Sequence, residues 1–65
     1  VLLPQDGRES VTVWVTVDGE EQYNQVVSCS QSSISISLTG YGVQHVEVYI
    51  DGEADPEQAQ DVQFD

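Results

Sequence analysis

The sequence predicts an all-β domain, a small antiparallel β-sandwich of five to six strands built from hairpins. One observation is a phrase that occurs twice, as Val15–Glu20 (VTVDGE) and as Val48–Glu53 (VYIDGE). Each copy contains Asp-Gly, the dipeptide that most readily accepts the positive φ angles of a two-residue type I′ hairpin turn. The other observation is the alternation of apolar and polar residues along most of the chain, which is the period of a half-buried strand.

The first predicted hairpin pairs strand 10–17 with strand 20–29 across Asp18-Gly19. In the first of these strands the odd positions are all valine, so one face is apolar and β-branched. The alternation is less regular in the second strand, because adjacent residues Val26 and Val27 cannot both face inward. We therefore expect a β-bulge near Val26-Val27.

Three further strands are expected after the first hairpin. Residues 33–39 have the clearest alternation in the chain, with serine or threonine at every outward position. A strand before the second Asp-Gly turn places His45, Glu47, Tyr49 and Asp51 outward. The last strand covers residues 61–65, and Pro56 makes residues 53–60 a loop or an irregular edge, because proline lacks a backbone donor.

Residues 1–4 are expected to add a short edge strand that Pro4 ends. The inward positions of all these strands form the predicted core, which consists of Val11, Val13, Val15, Val17, Ile34, Ile36, Leu38, Val46, Val48, Ile50, Val62 and Phe64. A flat sheet would leave this apolar surface in water. We therefore expect the sheet to fold onto itself as a sandwich.

Length and charge restrict the classes of function. The 65 residues make a single β domain (1–65), and the start at Val1 instead of Met predicts a piece of a longer chain. Twelve Asp and Glu residues stand against Arg8 alone, which gives a formal net charge of −11. Nucleic acids and anionic membranes are bound through Lys and Arg, so neither a nucleic acid nor direct membrane contact is expected.

No catalytic or cofactor site is predicted. Cys29 is the only cysteine, which excludes an internal disulfide, and we expect it to be a buried or half-buried small apolar residue. His45 has no second His or Cys at ligand spacing, so neither a zinc site nor a Ser-His-Asp arrangement is expected. The acidic segment 51–57 has a carboxylate at every second residue, a spacing that suggests calcium ligands. The order of ligand residues found in an EF-hand loop is missing. Whether this segment binds a metal ion or is a solvated turn stays open.

Trp14 and Tyr49 are the candidate interaction residues. Trp14 lies among threonines, on the face opposite the valines, and Tyr49 has the same outward parity. Side by side, the two rings would form an aromatic surface for a neighbouring domain or for sugar rings. The alternative is that the domain's own tail or a turn covers Trp14.

Three stretches carry a resemblance to a known family. Residues 10–19, 34–40 (ISISLTG) and 46–52 (VEVYIDG) look like the small extracellular β domain that follows the PASTA repeats in membrane serine/threonine protein kinases of clostridial-type bacteria. The likeness covers residues 8–52 and weakens in the acid-rich stretch. The chain has neither a kinase catalytic motif nor a PASTA repeat, so the resemblance transfers a context and no functional residue.

The resemblance implies a non-catalytic, Ig-like extracellular module that acts as a spacer or interaction domain of a PASTA-type kinase sensor. Its expected location is the extracellular face of a membrane-anchored bacterial protein, with neighbouring extracellular domains and cell-wall glycan as expected partners. The alternative is a carbohydrate-binding or adhesin module of a bacterial surface protein. The chain contains no lysine, so the Lys-Asn isopeptide cross-link of many adhesins cannot form within it.

Overall fold

The computed structural model describes residues 1–65 and contains five strands and no helix. The strands are β1 (Ser10–Val17), β2 (Glu20–Ser28), β3 (Gly42–Ile50), β4 (Glu53–Ala54) and β5 (Gln60–Phe64). They form one antiparallel sheet in the order β2-β1-β3-β4, and β5 pairs with the first half of β3. The predicted all-β antiparallel fold is therefore confirmed.

Both Asp-Gly pairs form the predicted turns. Asp18 and Gly19 have φ angles of 49° and 82°, and Asp51 and Gly52 have φ angles of 51° and 84°. Two successive positive φ angles are the signature of a type I′ turn, whose twist matches that of the flanking strands. The turns join β1 to β2 and β3 to β4, as predicted.

The two turn aspartates also hold the central pair of strands together. The Asp18 N–H donates to the His45 carbonyl at 2.8 Å, and the His45 N–H donates to Asp18 Oδ1 at 2.9 Å. At the other end, the Asp51 N–H donates to the Thr12 carbonyl at 2.9 Å, and the Thr12 N–H donates to Asp51 Oδ1 at 2.8 Å. Each aspartate therefore extends the β1–β3 ladder by one reciprocal pair of bonds.

The prediction of a bulge near Val26-Val27 is wrong, because the bulge in β2 lies elsewhere. Tyr23 lies opposite Val15 and Glu21 lies opposite Thr16, so the extra residue on β2 is Gln22. Val26 lies in regular register opposite Thr12 and is 70% exposed. The irregular alternation thus reflects an apolar residue on the outer face of the sheet.

The strand predicted over residues 33–39 is not formed as a ladder. Only Ser33 makes a β-bridge, to Leu2, and Ile34 exchanges backbone hydrogen bonds with Val1 at 2.8 and 2.9 Å. The predicted edge strand at residues 1–4 is reduced to the same contact. The pairing is antiparallel and runs from Leu3–Ser32 to Val1–Ile34, so residues 35–39 extend beyond it and no partner backbone lies beside this part of the segment. Its inward residues nevertheless pack on the core as predicted.

The core lies on the inner face of the sheet. Six of its eight buried residues are predicted core valines, and Leu3 and Cys29 complete the set of Leu3, Val11, Val13, Val15, Val17, Cys29, Val46 and Val48. Burial of Cys29 is confirmed at 7% exposure. The other six predicted core residues are half-buried against this cluster: Ile34, Ile36, Leu38, Ile50, Val62 and Phe64. The structure contains one sheet, and residues of the extended segments 1–4 and 33–39 pack over it where a sandwich would have a second sheet.

The inner face can be tested with a matched pair of substitutions on β3. Val48 is 4% exposed, whereas Val43 is 67% exposed. Val48→Asp should unfold the domain, because an unpaired buried carboxylate costs several kcal/mol and a domain of this size has little stability to lose. Val43→Asp adds the same charge in water and should keep the fold. Equal melting temperatures in circular dichroism would contradict this assignment of faces.

The turn carboxylates can be tested at Asp18. Hydrogen bonds from the His45 backbone N–H and from Gln44 Nε2 lower the pKa of Asp18 below its usual 3.8. Asp18→Asn keeps an oxygen acceptor, whereas Asp18→Gly loses it, and both residues accept the positive φ angle. The melting temperature should therefore fall further for Asp18→Gly.

The lowered pKa of Asp18 also predicts how the stability of the fold depends on pH. A depressed folded-state pKa contributes stability that is present above pH 3.8 and is lost as the pH falls through the folded value. The acid-induced loss of melting temperature should be smaller in Asp18→Asn than in the parent chain. An identical loss in both proteins would show that the Asp18 carboxylate does not contribute.

Candidate functional site

The outer face of the sheet brings the two candidate residues together. Trp14 on β1 lies directly opposite Tyr49 on β3, with ring centroids 5.1 Å apart and ring planes tilted by 35°. Trp14 is 37% exposed and Tyr49 is half-buried. The tail and the turns therefore leave more than a third of the Trp14 surface open to solvent.

A row of hydrogen-bonded polar residues continues from this pair. Tyr49 Oη donates to Glu47 Oε2 at 2.8 Å. Glu47 Oε1 lies 3.2 Å from His45 Nε2, and His45 Nδ1 lies 3.0 Å from Asp61 Oδ1 on β5. These residues share a face because alternate residues of β3 point the same way, and because Asp61 is the register partner of His45. The aromatic pair thus has an acidic rim on one side.

The rim changes two pKa values. The bond to Asp61 raises the pKa of His45 above 6.5, and Glu47 adds to the effect. The bond to Glu47 raises the pKa of the Tyr49 hydroxyl above 10, because the carboxylate accepts a hydrogen bond from the neutral hydroxyl and its charge disfavours the phenolate. Tyr49 is therefore neutral at physiological pH and is held in one orientation.

Thr16 is a residue of this face that the sequence analysis did not single out. It follows Trp14 on the outward side of β1 and lies opposite Glu47, yet it is only 5% exposed. Its hydroxyl Oγ1 is buried without a hydrogen-bond partner. Neighbouring side chains therefore pack over the centre of this face. No local sequence signal distinguishes Thr16 from the half-buried Thr12 or the exposed Thr39, because its burial depends on which residues are adjacent across the sheet.

The acidic segment 51–57 uses several carboxylate oxygens within the chain. Asp51 accepts from the Thr12 N–H and from Arg8 Nη1, at 2.8 and 3.3 Å. Asp55 accepts from the Glu57 N–H and from Gln58 Nε2, at 3.2 and 2.9 Å. The structure contains no group of three or more His, Cys, Asp or Glu side chains arranged to hold a metal ion. The acidic residues here stabilise turns and the β1–β3 ladder.

A surface groove runs beside the acidic segment. It has a volume of about 430 Å³, with Leu2, Pro4 and Ile50 on its apolar side and Glu53 and Glu57 among its polar residues. Its only basic side chain is Arg8, whose Nε also contacts Asp6 at 3.1 Å. Sequence reasoning missed this groove, because residues 1–4 and 50–58 meet only in the folded chain.

Comparisons of this chain with family models, curated proteins and solved structures found no match. No helix of a length and apolarity that would cross a bilayer is present. The outer face, with its partly exposed aromatic pair and acidic rim, is therefore the candidate site on its own geometry. Its chemistry suits contact with a partner that supplies apolar surface and hydrogen-bond donors or positive charge.

The contacts of His45 with Asp61 and Glu47 predict that the stability of the fold depends on pH. A folded-state pKa above the unfolded value contributes stability that is fully present below pH 6.5 and is lost as the pH rises through the folded value. NMR titration of the His45 ring should therefore give a higher pKa in the folded chain than in urea. The melting temperature should fall across this window, and His45→Gln should remove that part of the slope. A His45 pKa that does not change on unfolding would contradict the proposed role of Asp61.

Proposed function

We propose that this chain is a non-catalytic interaction module whose outer face, around Trp14 and Tyr49, contacts a neighbouring protein domain. The observation that carries the proposal is the packed aromatic pair, of which Trp14 stays 37% exposed. Tryptophan and tyrosine are enriched where proteins meet, because they combine a large apolar surface with a polar atom. The pair lies on regular strands, so it is held ready for contact without reordering of the backbone.

Charge indicates the chemistry of the partner. Glu47 bonds to Tyr49, Asp61 lies farther along the same row beside His45, and the chain has a formal net charge of −11. Lys and Arg side chains of a partner would be attracted by this rim and would stack on the exposed ring. We therefore propose a partner domain that presents basic residues, and an association that weakens as salt concentration rises.

The wider context of the proposal comes from the resemblance over residues 8–52. We propose that the chain is a spacer or interaction domain from the extracellular part of a PASTA-type membrane serine/threonine kinase. In that context the neighbouring domain belongs to the same extracellular stalk, on the outer face of the bacterial membrane. The sandwich topology of an Ig-like domain is not part of the support, because the structure contains a single sheet.

A carbohydrate-binding module is the second candidate. The observation in its favour is that Asn24 lies opposite Trp14 on β2 and Glu47 lies beyond Tyr49, so groups that can bond sugar hydroxyls flank the rings. The 35° tilt between the rings weighs against it, because a sugar stacks on a flat ring surface and the tilt breaks that surface. The protein-docking proposal does not need coplanar rings.

The two candidates predict different titrations. Under the docking proposal, soluble peptidoglycan fragments should leave Trp14 fluorescence and the amide signals of the outer face unchanged. Attachment of the domain that adjoins this chain in its parent protein should shift both, because the indole loses water. Trp14→Ala should weaken that contact, whereas Tyr41→Ala should not, since Tyr41 is 81% exposed in a loop outside the outer face.

Saturable binding of the peptidoglycan fragments, lost in a folded Trp14→Ala variant, would replace the docking proposal with the carbohydrate one. Equal effects of Trp14→Ala and Tyr41→Ala on attachment would show that the outer face is not the contact.

A further inference from the structure

The free edge of β2 is a second surface that the outer-face proposal does not use. β2 is the first strand in the sheet order and pairs only with β1. None of the eight backbone hydrogen bonds outside the regular ladders involves a residue of β2. The edge of a nine-residue strand is therefore unpaired, and such an edge is a template for another strand.

The register shows which backbone groups are free. The Cys29 N–H donates to the Glu9 carbonyl at the end of the β1–β2 ladder. Backbone groups of a strand alternate between its two sides, so Val27 and Gln25 bond to β1 as Cys29 does. The N–H and C=O groups of the intervening residues, Asn24, Val26 and Ser28, consequently point away from the sheet.

Beyond the bulge at Gln22, this edge has neither the charges nor the prolines that commonly protect an edge strand. All charged residues of the chain, and His45, lie outside residues 22–44. Charges and proline normally keep exposed edges apart, but β2 has only Glu20 and Glu21, both beside the turn. Val26, in the middle of the free part, is 70% exposed. An uncharged edge with an exposed valine at its centre is thus present on a strongly acidic protein.

We propose that two copies of this chain pair antiparallel along β2, with Val26 opposite Val26 of the second copy. Two-fold symmetry makes such an edge self-complementary, because its outward backbone groups then meet each other in pairs. In this register Asn24 lies opposite Ser28 of the second copy. The pairing buries both exposed valines on the same face and places no charged residue opposite another.

Charge favours a second copy over an unrelated strand. The edge has no acidic residue that would attract the basic partners suited to the rest of the chain. The same uncharged edge on a second copy can pair with it without repulsion between charged side chains. Glu21 and Glu21 of the second copy are ten residues apart along the pairing, about 34 Å at ~3.4 Å per residue. That distance is several times the Debye length of ~8 Å at physiological salt. At low salt the Debye length grows to ~30 Å and the two acidic copies repel each other, so added salt should strengthen the dimer.

The pairing also has a geometric consequence. The two sheets become one continuous sheet. The two-fold axis is perpendicular to this sheet, so both outer faces lie on the same side of it. Two copies of the Trp14–Tyr49 pair would then face one direction. A partner that has two contact sites would gain avidity without any new contact.

The test is sedimentation equilibrium of the 65-residue chain over a wide range of protein concentration, at low and at high salt. We expect a monomer–dimer equilibrium that shifts towards the dimer when salt is added. Val26→Lys should weaken the dimer by about tenfold or more, because it places two like charges directly opposite each other. Val43→Lys is the matched control, since it adds the same charge at a valine that is 67% exposed on β3, and it should leave the dimer unchanged.

Amide hydrogen exchange supplies an independent measurement that does not depend on a variant. The amides of Asn24, Val26 and Ser28 should become protected as the protein concentration rises, while the exposed amides of the loops should not. A chain that stays monomeric at every concentration and salt would overturn the proposal. A dimer that is weakened equally by Val26→Lys and Val43→Lys, or one without protection of these three amides, would also overturn it.

Discussion

The β1–β3 ladder is the constraint on which the rest of the structure depends, and the carboxylates of two turns close both of its ends. Asp18 and Asp51 each combine a strained, positive φ angle with a side-chain oxygen that accepts a backbone N–H from the facing strand. Glycine would satisfy the turn alone. The aspartates have a second effect. Each side-chain oxygen accepts a backbone N–H of the facing strand and so adds a bonded pair beyond the last residue of β1 or β3.

Fixing this ladder fixes both faces of the sheet. Its register puts Val15 against Val48 on the inner face, and Trp14 against Tyr49 on the outer face. A shift by one residue would move every side chain to the opposite face and place the valines in water. The core and the aromatic pair are therefore set by the same backbone pairing, so loss of either turn bond acts on both.

The charge distribution separates two kinds of surface. The acidic residues gather at the turns, along the rim beside Tyr49 and in residues 51–57, where several accept hydrogen bonds from the chain. The uncharged residues 22–44 include most of the β2 edge and the extended segment over the core. An acidic outer face and an uncharged edge suit different contacts, and pairing at the edge uses backbone groups that lie in the plane of the sheet, so one contact need not block the other.

The sequence by itself determined the all-β class, both hairpin turns, the inward valines and the shared face of Trp14 and Tyr49, because turn chemistry and period-two alternation are local signals. Tertiary structure decided the rest. Residues 33–39 alternate as regularly as β1, yet no partner backbone lies along most of them, so they stay extended without a ladder. The bulge at Gln22, the burial of Thr16 and the free edge of β2 likewise depend on which strand lies beside which, and a single strand's pattern does not contain that information.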